Sequence, residues 1–313
     1  MTFVARDITV QLSLAPTNGT FDGQNNTLYL TGLRVRCTIN ATVGGATPFQ
    51  GQAQIRIEGM RNEDMAQLST LGLTYGYYNK NLITVFAGDT INGMSMVFTG
   101  SIFSANVDYN SQPEVGIEIS ASNTLSSQLP PTAPSQYKGN QDVATMLQAI
   151  CAANNPPLAF VNNGVSATLT NHSVGNSAAN QIADICQAAL INYDLSNETL
   201  TIWPVDGQRD NSSPIEISAN SGMVGYPQYS AQGIDISMEF NPNVMLGRQM
   251  TVSSSIPNPG PNAPTALNGQ VPIGASGTYW IYDVVHQLAA QVPNGPWFTL
   301  AKLGTVNTQL RGS

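Results

Sequence analysis

The sequence predicts a mixed, β-rich α+β protein in which two β-rich segments flank a small α+β unit. Three observations carry that reading: period-two alternation through residues 1–125, two amphipathic helical stretches between 140 and 190, and renewed alternation after 214. At 313 residues the chain is long enough for two or three domains, each with its own core.

The first segment alternates at Ile8-Thr-Val10-Gln-Leu12-Ser-Leu14, Leu28-Tyr-Leu30, Leu33-Arg-Val35-Arg-Cys37-Thr-Ile39, Gln54-Ile-Arg-Ile57, Ile83-Thr-Val85-Phe86, Met94-Ser-Met96-Val-Phe98 and Val115-Gly-Ile117-Glu-Ile119. Asn18-Gly19, Asp22-Gly23, Gly44-Gly45, Gly88-Asp89 and Asn92-Gly93 punctuate these runs as turns, which reads as an antiparallel barrel or sandwich. One helical interruption is expected at 61–71, where Met65, Leu68 and Leu71 share a face. Leu129-Pro-Pro-Thr-Ala-Pro134 reads as a stiff linker. Beyond it, Val143, Met146, Leu147, Ile150 and Cys151, then Ile182, Ile185, Cys186, Ala189 and Leu190, recur at helical spacing, with Asn140 and Ser177 as expected N-caps. Short strands are expected at 158–161, 165–170, 191–195 and 199–203. In the last segment Ile234, Ile236, Met238 and Phe240 share one strand face opposite Asp235, Ser237 and Glu239, while 256–277 reads as a long Pro/Asn/Gly-rich loop. The expected domains are 1–128, 137–213 and 214–313.

Charged residues make up only 10% of the chain, against a usual fraction of about a quarter, and neutral Asn, Gln, Ser and Thr replace them. Such a surface is desolvated at lower cost than one of Lys and Glu, so it suits extensive protein–protein contact, although a monomeric polar β-protein has the same composition. The net charge of −8 and the absence of Lys/Arg clusters disfavour phosphate-backbone binding; a passage that must not hold DNA has the same charge. Cys37, Cys151 and Cys186 read as reduced, buried thiols from a cytoplasmic folding environment. No secretory signal is recognised, and no apolar run approaches the roughly 18 residues that span a bilayer, so no membrane insertion is expected.

The chemistry of catalysis is sparse. His172 and His286 stand apart without metal-ligand spacing, and there is no G-x-S-x-G elbow or phosphate-cradling glycine loop. Glu58 with Asp64, or Glu114 with Glu118, are the carboxylate pairs that could serve glycan hydrolysis, but a solvated face is the simpler account. Tyr75-Gly-Tyr-Tyr78 and Tyr226-Pro-Gln-Tyr229 could stack sugars, form an interface or pack internally, while Trp203 and Trp297 read as buried anchors. No catalytic, cofactor or metal-binding residue is assigned, and an enzyme is not expected.

The order Gly225-Tyr-Pro227, Gly233-Ile-Asp-Ile236, Phe240-Asn-Pro242 to Gly247-Arg248, Tyr282 to His286 and Pro293-Asn-Gly-Pro-Trp297 resembles the C-terminal domain of baseplate hub proteins of contractile-tailed bacteriophages. Ile57 to Leu71, Val85-Phe-Ala-Gly-Asp89 and Met94 to Ile102 resemble the first domain of the same late control protein D-like superfamily. The resemblance implies two β-barrel-like domains flanking the α+β unit, although no residue-level repeat links 1–125 to 214–313. It further implies a homotrimer in the virion tail baseplate that joins the six-fold tail tube protein to the three-fold central spike protein. Tape measure and baseplate wedge proteins are further candidate partners, DNA only passes through, and assembly takes place in the bacterial cytoplasm. A carbohydrate-binding adsorption module and a tail-associated peptidoglycan hydrolase are the alternatives.

Overall fold

Alternation in the sequence becomes alternation in burial. Ile8, Val10 and Leu12 are buried while Thr9 and Gln11 lie on the other face, and Val35, Cys37 and Ile39 are buried opposite Arg36, Thr38 and Asn40. The computed structural model describes residues 5–16, 18–21, 23–42, 51–69, 81–128, 132–230, 233–254 and 275–304. Its first part runs β1 (Arg6–Ser13), β2 (Thr27–Leu30), β3 (Arg34–Thr42), β4 (Gly51–Glu58), α1 (Asn62–Leu68), β5 (Leu82–Asp89), β6 (Gly93–Asp108), β7 (Gly116–Ser122) and the single turn α2 (Leu125–Gln128). The middle part has β8 (Ser135–Asp142), α3 (Val143–Ala153), β9 (Ala159–Asn162), β10 (Thr168–Val174), α4 (Ala178–Ala188), β11 (Ile191–Ser196) and β12 (Thr199–Pro204). The last part has β13 (Ile215–Ser218), β14 (Met223–Tyr229), β15 (Gly233–Glu239), β16 (Gln249–Ser253), β17 (Gly277–Ala290) and β18 (Trp297–Gly304).

The β-rich α+β class is as expected, but the two barrels are not there. A 13-stranded sheet runs β14-β15-β18-β17-β3-β4-β7-β6-β5-β1-β2, with β16 on β17 and β13 on β16, and among the described residues no sheet closes on itself. The first half could close only if the β1–β2 end met the free edge of β3. That edge is instead taken by β17 in an antiparallel ladder from Val35↔Ala290 to Thr42↔Asp283. Each half satisfies the other's backbone groups, so closure is replaced by fusion.

Among the described residues, buried apolar side chains fall into three clusters. The first is built from β1–β7 and α1 and also takes in Leu288, Ala290 and Trp297. The second lies between α3, α4 and the β11-β12-β9 sheet, and the third under β13–β18. Fully burying each Ile, Leu or Val contributes about 1.5–3 kcal/mol, so each cluster is a substantial driving force.

Local details depart from expectation in three places. Asp142, not Asn140, caps α3: its carboxylate accepts the Thr145 N–H (2.9 Å) and hydroxyl (2.8 Å), while Asn140 lies in β8 and accepts from Thr170. Ser177 caps α4 as expected, accepting the Asn180 N–H at 3.4 Å. Leu190 is 65% exposed with φ +53°, because it follows the end of α4 at the turn into β11. Within α1, Met65 and Leu68 are buried; Leu71, the Tyr75–Tyr78 cluster, Leu129–Pro131 of the linker and most of the 256–277 loop lie outside the described residues. Among those described, no helix is long and apolar enough to cross a membrane.

Candidate functional site

Three polar assemblies stand out among the described residues: two join separate parts of the chain, and one ties the strands of the first segment together. The first lies at the seam between β3 and β17. Phe240 makes edge contacts with His286 (5.5 Å, 79°) and Trp297 (5.4 Å, 71°), and the Arg6 guanidinium covers the Trp297 ring at 5.7 Å. Thr299 Oγ1 accepts the Asn241 N–H (3.2 Å) and is hydrogen-bonded to His286 Nδ1 at 3.0 Å, with the direction of that bond set by the imidazole tautomer. Burial pushes His286 down to about 4, so the ring is neutral at pH 7. Three separated pieces of the motif order, Phe240-Asn241, His286 and Trp297, therefore converge on one packing joint.

The second assembly clasps the middle unit to the last. Arg209 bonds Asp194 of β11 at 2.6 Å, donates to the Leu246 carbonyl at 3.2 Å and stacks over Trp203 of β12 at 5.9 Å. Its own N–H reaches the Gly247 carbonyl at 3.1 Å, and its carbonyl accepts from Asn163. Gly247 has φ +77°, and a Cβ there would lie 2.3 Å from Trp203 Cζ2. Glycine is required twice over, by the left-handed backbone and by the indole. Arg248 completes the joint with Asp210 (2.8 and 2.7 Å) and the Asn243 carbonyl (3.0 Å). Burial alone would push Asp210 up, but the Arg248 bonds hold it below its ordinary value.

The third assembly contains the candidate catalytic carboxylates. Arg56 contacts Glu58 (3.0 Å), Asp108 (3.1 Å) and Glu118 (2.9 Å), while Arg34 contacts Glu58 (3.2 Å) and Glu114 (2.5 Å). Arg36 approaches Glu58 at 3.9 Å. Asp64 is held separately by Arg61 at 2.8 and 3.2 Å. Glu58 and Asp64 are thus in different ion pairs, and Glu114 and Glu118 are joined only through two arginines. Burial would raise the Glu58 pKa, yet hydrogen bonds from Arg56 and Arg34 take it below the usual carboxylate range. A glycosidase acid needs the opposite shift, so this lattice is built for cross-strand order and not for proton donation.

The remaining candidates do not converge. His172 lies in β10 opposite Tyr137, on a different sheet from His286, and among the described residues no group of three or more His, Cys, Asp or Glu could hold a metal ion. Cys37, Cys151 and Cys186 are buried free thiols; burial pushes the first two up to about 12 and the third well above its usual value. Tyr226 is exposed and Tyr229 half-buried on edge strand β14, whereas Trp203 and Trp297 are the buried anchors the sequence suggested. A polar cleft of about 540 Å³ lies between the β5–β6 turn and the turns at 220–222 and 241–243, and a groove of about 420 Å³ lies beside α1 and the end of β6. Arg209 and Arg56 were not singled out from the sequence; their signal was the scarcity of cations itself, since 11 Lys and Arg stand against 19 Asp and Glu and each arginine has several carboxylates to choose from.

The model of the family described as Baseplate hub gp41 matches residues 19–268. The chain belongs to that baseplate hub family. It is a structural protein of a tail baseplate, and the carboxylate lattice is part of its framework. Solved structures share the fold of this hub. The tail protein from Neisseria meningitidis MC58 has a TM-score of 0.57 at 11% identity, covering 97% of this chain and 99% of that one. The 43 kDa tail protein of prophage MuSo2 from Shewanella oneidensis has a TM-score of 0.55 at 9% identity, covering 96% and 97%. An E. coli type VI secretion component, described as structurally similar to the T4 bacteriophage tail proteins gp27 and gp5, has a TM-score of 0.54 at 13% identity, covering 87% and 73%. No curated protein sequence matches the chain.

Proposed function

We propose that this hub is a homotrimer that joins the six-fold tail tube to the three-fold central spike and forms part of the DNA ejection conduit. Its three segments, 1–128, 137–213 and 214–313, would act as one adaptor, with the tube and spike proteins as direct partners and tape measure and baseplate wedge proteins beside them.

The observation that supports the reading, beyond family membership, is a neutral cross-strand row on the long sheet beside the arginine–carboxylate lattice. Gln287, Thr38, Gln54, Ser120 and Ser104 form one cross-strand row over β17, β3, β4, β7 and β6. Asn40 and Gln52 continue it in the next row, whose other members, Ser122 and Ser101, are buried. This row carries no cation, and the arginines of the neighbouring row on the same face, Arg36 and Arg56, are paired with Glu58, Asp108 and Glu118, so on a chain of net charge −8 little positive charge is left for DNA. Such a face suits either a passage or a broad subunit contact. Light scattering of the purified hub and a DNA titration at low salt test the proposal together. The expected results are a trimer and no DNA affinity at or below roughly micromolar. A monomer at high concentration that is also absent from purified tails, or tight DNA binding, would overturn it.

A further inference from the structure

The β5–β6 turn carries apolar side chains where a turn ordinarily carries polar ones. Ile91 is 69% exposed at its tip, with Met94 and Met96 at 42% and 44% on the strand behind it. The turn is held in shape by Asp89, whose carboxylate accepts the Ile91 N–H (2.8 Å), the Asn92 N–H (2.7 Å) and the Asn92 side-chain amide (2.8 Å). A rigid turn that presents Ile and two adaptable Met side chains is preorganised for insertion into an apolar socket.

A socket exists at the other end of the same strand. The groove beside α1 is lined, among the described residues, by Ala66, Ser69, Asn106, Val107 and Tyr109, all uncharged. Residue 91 precedes β6 and residues 106–109 close it, so knob and groove stand at opposite ends of a 16-residue strand that rises about 50 Å. They cannot meet within one copy. Nor does the tip suit an anionic bilayer, because residues 89–96 contain no Lys or Arg.

We infer that the β5–β6 turn of one copy seats Ile91 in the α1–β6 groove of the next, as a head-to-tail contact between copies of this chain. Each copy offers one knob and one groove, and a contact of this kind closes into a ring when its rotation divides the circle. The described lining of the groove carries no charge, and the Asp89 carboxylate of the turn is already bonded within it, which favours the fit. The inference rests on the homotrimer proposed above and names its contact.

The test is a chain carrying both Ile91→Cys and Tyr109→Cys, oxidised and run without reductant, beside an Ile91→Asp variant measured by light scattering. The native thiols are buried and do not compete. The inference expects a covalent ladder ending at the trimer, no ladder from either single cysteine variant, and self-association weakened about thirtyfold or more by Ile91→Asp, the size of a hot-spot loss. A trimer that neither cross-links nor responds to Ile91→Asp overturns the contact and leaves the trimer standing. A wild-type chain that stays monomeric removes both. Vesicle binding that Ile91→Asp abolishes, without cross-linking, would make the turn a membrane contact and overturn the inference.

Discussion

Gly247→Ala tests whether the glycine of the Gly247-Arg248 pair is an internal joint or a surface turn. Two costs separate cleanly. The backbone is at φ +77°, and holding an alanine in the left-handed region costs about 1–2 kcal/mol. The new methyl would also lie 2.3 and 2.7 Å from Trp203 Cζ2 and Cε2 and 3.1 Å from Arg209 Cβ. The indole is fully buried and stacked under Arg209, so it has little room to yield, and overpacking of this kind costs about 1–3 kcal/mol. The sum is about 2–5 kcal/mol. Gly164→Ala is the control, since Gly164 has φ +90° but nothing within 4 Å of its Cβ, so it bears the backbone cost alone. Urea unfolding followed by tryptophan fluorescence, with hydrogen exchange at residues 200–210 as a local readout, compares the two. Equal losses for Gly247→Ala and Gly164→Ala would refute the joint.

The other predictions concern the same joints and the middle core. His286 is neutral and buried, with its folded pKa depressed from 6.5 to about 4; its contribution is complete above 6.5 and is lost as pH falls, because the unfolded chain takes the proton first. Between pH 6.5 and 4 that amounts to about 3 kcal/mol, and His286→Gln should flatten the stability–pH curve by up to about 1.4 kcal/mol per pH unit; parallel curves would dismiss the effect. Arg209→Met strands the buried Asp194 carboxylate and should cost about 3–5 kcal/mol, much of it recovered in the Asp194→Asn/Arg209→Met double variant. A double variant no more stable than Arg209→Met in urea would show that the loss is packing and not charge. Ile182 is fully buried between α4 and the α3 side of the second cluster, so Ile182→Asp should destabilise the middle unit by several kcal/mol, and an unchanged melting curve would remove it from that core.

What could be read from the sequence was whatever a short stretch of chain decides for itself. The period-two runs at 8–14, 33–39 and 234–240 became strands with the expected faces buried, and the 3.6-residue spacings at 143–151 and 182–186 became α3 and α4 packed together. Burial of alternate side chains depends on local geometry, so those readings survive whatever the rest of the chain does. Strand β8 was missed for the same reason. Ser135-Gln-Tyr-Lys-Gly-Asn-Gln-Asp142 buries almost nothing, and only its backbone ladder with β10 makes it a strand.

Tertiary structure decided the pairings. Alternation marks a strand without saying which edge it offers or to whom, and the choice of β17 over β1 as the neighbour of β3 turned two expected barrels into one open sheet. The Arg209–Asp194 clasp, the Arg56 lattice and the meeting of Phe240, His286 and Trp297 are contacts of the same kind. They follow from where the backbone brings separated residues together, and no local pattern encodes that. The sequence alone determined a charge-poor, β-rich chain with two buried helices. Only the fold could show that Arg209, Arg248 and the motif aromatics are spent on joining the parts, because these side chains meet partners far along the chain that no local pattern pairs with them.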